Sequence, residues 1–218
     1  MWTLLLLLLS PARADVAPPP PPPVPIQRPT QGYAEPIPAP MREAMIGVTW
    51  REGCPVGLDE LSLLHIPHLG MDGATHEGLL IVAADQAQSV LQAFAAMHEA
   101  GFPIRQMRPT HEFNGSDDAS MAADNTSAFN CRPVSGGTRF SQHSYGRAID
   151  INTIENPYIR GSRILPPEGA DFTDRSDVRP GMITTGDPVV SAFAAIGWKW
   201  GGNWQTTKDY QHFSANGM

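Results

Sequence analysis

The segment SQHSYGRAIDIN, residues 141–152, places a histidine and an aspartate seven positions apart, His143 and Asp150. Imidazole nitrogen and carboxylate oxygen both bind zinc, and a hydrolytic zinc site uses about three protein ligands with one position left open for water. A third ligand must come from elsewhere, together with a carboxylate to act as base. Near the end of the chain, DYQHF offers Asp209 and His212, three residues apart. The candidate set is therefore His143, Asp150 and His212 on a metal, with Asp209 as general base. Each fragment alone has a plainer reading, because short motifs recur by chance. A histidine in a polar turn is usually a surface residue, and an aspartate between isoleucines usually sits on the wet face of a strand.

The elements must bring these residues together. In the run AIDI, Asp150 points away from Ile149 and Ile151, so a strand over 146–154 carries it into a cleft. Asp209 and His212 pose a problem. In a regular strand over 208–215, residues three apart face opposite sides, so Asp209 must lie in a turn or at a bulge. Upstream, GLLIVAAD (78–85) predicts a buried strand. The segment 85–102 predicts a helix, with Val90, Leu91, Phe94 and Met97 on one face, Asp85 as cap and Gly101 as stop. FPIRQMRPT (102–110) predicts a second strand, and 114–139 is mostly loop. Residues 156–183 form a long excursion of the kind that builds lids or cleft walls. A short helix follows over 187–198. The expected class is α+β, a small, mainly antiparallel sheet with flanking helices and long active-site loops. There is no internal repeat.

The chain has 218 residues, enough for one ordinary domain plus extras. Its net charge of −7 lacks the basic surplus of a nucleic-acid binder, so no nucleic-acid partner is expected. The opening MWTLLLLLLSPARA reads as a short apolar core followed by an A-x-A cleavage site, so residues 1–14 are expected to be a signal peptide. The leucine run is too short to span a bilayer, and no stable membrane insertion is expected after cleavage. Residues 15–40, with six consecutive prolines, read as a semi-rigid linker. The domain is placed at 41–218. Export to the periplasm, cell wall or medium favours pairing of the two cysteines, Cys54 and Cys131, over two buried thiols. HIPH (65–68) offers another histidine pair, but its proline disfavours a helical arrangement and no carboxylate stands at motif spacing.

SQHSYGRAIDIN together with GWKWGGNWQTTKDYQHF resembles the zinc-dependent peptidoglycan peptidases. These are the D-alanyl-D-alanine carboxypeptidases and dipeptidases and the L-alanyl-D-glutamate endopeptidases of lysostaphin/Hedgehog-type fold. The family pattern, S-x-H-x(6)-D and then an acid separated by two residues from a final histidine, is met by Ser141, His143, Asp150, Asp209 and His212. The likeness extends over roughly 50–214 through FPI, TSAFNCR and NPY. It implies one Zn2+ on His143, Asp150 and His212, with Asp209 as catalytic carboxylate. It also implies that Arg132 contacts substrate and polarises the carbonyl. Ser141, Tyr145 and Trp204 are expected to contact substrate, which would be a cell-wall stem peptide. The carboxypeptidase branch tends to carry Glu at the base position, so Asp209 favours the endopeptidase branch. D-Ala-D-Ala carboxypeptidase is the alternative within the family. A wall-binding module that retains the metal without catalysis is the alternative outside it. The protein is expected to act as a monomer.

Overall fold

The computed structural model describes residues 32–134 and 136–218. The expected signal peptide and the first part of the linker, residues 15–31, lie outside the described residues. The remaining part of that linker is not a tether. Tyr33–Pro36 forms strand β1, and α1 begins at Ala39 and runs to Met45, so the folded body starts before residue 41.

The first sheet has the order β1-β2-β3 and is antiparallel throughout. Its centre is a long hairpin, β2 (Leu61–Leu69) with β3 (Thr75–Ala83). The sequence reading missed β2, because Pro67 and two histidines break its apolar pattern. Pro67 is tolerated near the far end of the strand, where it pairs opposite Glu77. Helix α2 (Ala87–Glu99) packs on this sheet through Val90, Leu91, Phe94 and Met97, the face expected from its spacing, and Gly101 ends it at φ +72°. The expected strand over 102–110 does not form. Pro103 and Pro109 lack the N–H a ladder needs, and only isolated bridges, Leu69 with Pro103 and Met107 with Thr126, mark the segment. A short helix, α3 (Asp117–Ala122), interrupts the loop that follows.

Two further sheets carry Asp150, Asp209 and His212. One has β4 (Ala148–Asp150) paired with β9 (His212–Ser214), which also pairs with β7 (Lys199–Trp200). The other has β5 (Tyr158–Arg160) flanked by β6 (Arg163–Leu165) and β8 (Lys208–Asp209). Helix α4 (Pro188–Ala195) is capped by Asp187, whose carboxylate accepts from the Val189 N–H at 2.8 Å. The main apolar cluster joins the first sheet to segments after residue 148. Leu64, Leu80, Val82 and Phe94 pack in one body with Ile149, Ile151, Phe193, Trp198 and Phe213. A second cluster gathers Met45, Leu61, Ile81, Phe129 and Cys131. Cys131 is bonded to Cys54 across 77 residues with Cα atoms 6.0 Å apart. The architecture is α+β with small antiparallel sheets, as the pattern implied. Among the described residues no helix is long and apolar enough to cross a membrane.

Candidate metal centre and catalytic cleft

The expected final strand is broken, and the break resolves the spacing of Asp209 and His212. Lys208–Asp209 pairs with β5, whereas His212–Ser214 pairs with β4 and β7. Tyr210 and Gln211 carry the chain from one sheet to the other. Asp209 and His212 therefore leave different sheets and line one cleft of about 520 Å³, which His143 and Asp150 also line. Gly201 lets the preceding turn approach this corner, since a Cβ there would stand 2.7 Å from the Asp209 carbonyl oxygen.

Asp150 lies inside a strand array. It exchanges two backbone hydrogen bonds with Ser127, at 2.9 and 3.0 Å, and faces His212 across β4–β9. His143 sits in a tight turn, Gln142–Tyr145, opened by the Ser141 hydroxyl, which accepts the His143 N–H at 3.3 Å. Gly146 closes the turn at φ +63°, where a Cβ would stand 2.4 Å from the Ala83 backbone nitrogen.

Carboxylate and imidazoles converge. His143 Nε2 is 3.2 Å from one Asp150 oxygen, and His212 Nδ1 is 2.9 Å from the other. One ligand atom from each of the three residues lies within 4.8 Å of the others. The outer ring nitrogens are engaged by backbone. His143 Nδ1–H donates to the Ala128 carbonyl at 2.6 Å, and His212 Nε2–H donates to the Met218 carbonyl at 3.1 Å. Carbonyl partners of this kind orient the rings so that, once the inner nitrogen has lost any proton, its lone pair faces a cation. Two neutral nitrogens and one carboxylate in a buried corner fit a zinc ion with an open position.

Burial opposes ionisation of Asp150, but His143 and His212 more than reverse this and hold its carboxyl well below the usual range. Burial likewise disfavours a charged His212, yet the hydrogen bond and charge of Asp150, with Asp209 adding, push it up to about 9 in the metal-free protein. Asp209 moves the other way. Burial pushes its carboxyl up to about 7, against the pull of His212, His143 and Arg132. Its Oδ1 is buried and has no hydrogen-bond partner among the described residues. A carboxyl near neutrality with a free oxygen suits proton transfer.

Arg132 follows the disulfide-bonded Cys131 and is tied to the ligand turn. Its backbone N–H donates to the Ser144 hydroxyl at 2.9 Å, and its carbonyl accepts from the Ser141 N–H at 3.0 Å. Its guanidinium pairs with Asp117 and lies in the field of Asp150 and Asp209, while burial lowers its pKa. Ser141 and Trp204 line the cleft, Trp204 with its ring centroid 5.7 Å from that of His212. Tyr145 does not line it. It belongs to the same turn as His143, Gln142–Tyr145, so its expected contact with substrate finds no support in the lining of the cleft. The HIPH histidines do not converge either. His65 stands between Glu35 and Glu77, and His68 pairs across the hairpin with His76. Cleft residues that the sequence reading did not pick out are Asp117, Tyr158 and Arg163. NPY marked the neighbourhood of Tyr158, but only strand pairing shows that it adjoins Asp209.

Residues 135–215, just over a third of the chain, match the family model described as D-alanyl-D-alanine carboxypeptidase. The matched stretch contains all three candidate ligands and Asp209, and it stops short of Arg132 and the disulfide. No curated protein and no solved structure matches the chain.

Proposed function

On the premise that residues 135–215 carry the match supporting the zinc-dependent D-alanyl-D-alanine carboxypeptidase family, we propose that this protein is an exported zinc peptidase cutting the L-alanyl-D-glutamate bond of cell-wall stem peptides. The observation that carries the reading is one cleft holding a His–Asp–His group and a separate buried carboxyl with an unpartnered oxygen. A zinc ion held by His143, Asp150 and His212 supplies Lewis acidity toward the scissile carbonyl and acidifies water at neutral pH.

The chain's own residues do the rest. Asp209 Oδ1 takes a proton from the attacking water and returns it to the leaving amine. Arg132 faces the charge that grows on the carbonyl oxygen, and its permanent charge and planar fork suit that position. Asp117 holds the guanidinium in place. Trp204 and Phe140 supply apolar wall, which limits water around the reacting groups. A structural zinc site would fill all four positions with protein ligands, and a binding module would not need an unpartnered carboxyl beside the metal.

Asp209 in place of the longer Glu favours the endopeptidase branch. The carboxypeptidase reading is second, supported by the description of the matched family. It is also supported by Arg139 and Arg163, which line the cleft without a carboxylate partner among the described residues. Digestion of purified muropeptides with and without chelator, read by mass spectrometry, separates the two. The expected product arises from cleavage between L-alanine and D-glutamate. Loss of a terminal D-alanine would select the carboxypeptidase, and no chelator-sensitive cleavage by zinc-loaded protein would reject both.

A further inference from the structure

Asp209 has one direct cross-strand neighbour on β5, Tyr158, and Tyr158 has Leu165 as its neighbour on β6. Side chains directly opposite one another in an antiparallel pair share a face, with Cβ atoms about 5 Å apart. Asp209, Tyr158 and Leu165 thus form one row across the three-stranded sheet, and all three line the cleft. Arg163, two residues from Leu165 and so on its face, extends the row. The wall reads in order as carboxyl, phenol, alkyl and guanidinium.

Tyr158 is half-buried, and its hydroxyl makes no hydrogen bond to any described residue. The hydroxyl is not among the buried atoms left without a partner, so it is open to solvent, and Tyr158 lines the cleft in which a ligand would meet it. The phenol is also the hydroxyl of this wall next to the proton-carrying carboxyl. A peptide lying over Asp209 must pass it, and a peptide presents a carbonyl or amide at every residue.

We propose that Tyr158 is a substrate-contacting residue, its phenolic hydroxyl hydrogen-bonding the peptide unit next to the bond served by Asp209. This rests on the peptidase reading of the same cleft. The contact fixes the peptide along the β5–β8 wall, so that the scissile unit sits over Asp209 rather than sliding along the sheet. The ring alone gives apolar wall; the hydroxyl gives register.

Tyr158→Phe removes one oxygen and keeps the ring. With purified muropeptides, kcat/KM is expected to fall about ten- to a hundredfold, as for a polar partner left unpaired, with zinc content and thermal midpoint unchanged. A kcat/KM within twofold of the parent would overturn the proposal. Binding of the same muropeptides is measured by calorimetry on Asp209→Ala and on Asp209→Ala/Tyr158→Phe protein, where the double variant is expected to bind roughly tenfold more weakly. If the parent protein cleaves nothing, the peptidase reading falls by itself and the calorimetry still decides Tyr158. Equal affinity in the two variants, or no binding by either, overturns the contact.

Discussion

Asp150 and His212 are direct partners across β4–β9, and their side chains meet at 2.9 Å on the cleft side of that pair. Two candidate ligands fixed in this way by sheet register cannot spread without breaking the ladder. Replacing Asp150 by Ala should remove the anion from between two imidazoles and abolish stoichiometric zinc binding. Zinc content after dialysis, by mass spectrometry, checks this. Retention of one zinc per chain would discard the assignment.

Protons compete with the metal at His212. Its pKa in the metal-free protein, raised to about 9, means that binding near neutrality must displace a proton. Asp150 is already ionised there. Zinc affinity should rise with pH by about one log unit per unit between pH 7 and 9. Calorimetry in two buffers of different ionisation enthalpy reports the released proton. A pH-independent affinity over that range contradicts the geometry.

Asp209→Ala separates chemistry from architecture. Turnover should fall by about 10²- to 10⁴-fold, the usual worth of a positioned general base, while zinc content stays at one. Stability should hold or rise, because the variant deletes a buried carboxyl with a free oxygen. Arg132→Lys should keep the charge and still lose about 10²-fold in kcat, since a single ammonium does not reproduce the fork. Full activity in either variant would remove that residue from the machinery.

The Cys54–Cys131 bond closes a loop of 77 residues. In the chain-entropy account such a loop contributes about 4 kcal/mol. Denaturant titration of the double Ser variant should show a loss of that order, with a higher m-value because the unbridged unfolded chain is more expanded. Activity should fall further than stability alone explains, because Arg132 is the next residue.

Asp124 supplies a stability test away from the cleft. It is buried against Glu155, with Arg105 Nε at 3.2 Å and the Ile154 N–H at 2.9 Å. Burial and the Glu155 carboxyl push it up to about 7. A carboxyl raised above its unfolded value contributes most below pH 4, and that contribution is lost as pH rises through about 7. Metal-free protein should therefore lose stability between pH 4 and 7, and Asp124→Asn should flatten the slope. Parallel slopes in thermal melts would refute this.

Much of the site was legible because metal ligation restricts residue type and spacing. His143, Asp150, Asp209 and His212 were read as candidates from that chemistry and line one cleft in the structure, and helix α2 was read from its period. Pairing was not legible. The break at Tyr210–Gln211 depends on β5 and β4 competing for the same segment, and no local pattern in DYQHF records the competition. The strand expected at 102–110 failed because apolar content outweighed its two prolines in the reading. Tyr158 was not picked out, because its adjacency to Asp209 is set by strand pairing and not by spacing along the chain.

The main apolar cluster crosses the edge of the family-matched stretch. Ile149, Phe193 and Phe213 lie inside 135–215, and Leu80 and Phe94, which pack with them, lie outside. The matched segment is thus not a unit of folding. Transplanted onto another scaffold, residues 135–215 would carry every ligand and lose the surface that keeps them apart from solvent. The smallest portable form of the candidate site is the whole described body, including the stretch before residue 135 that the family model does not cover.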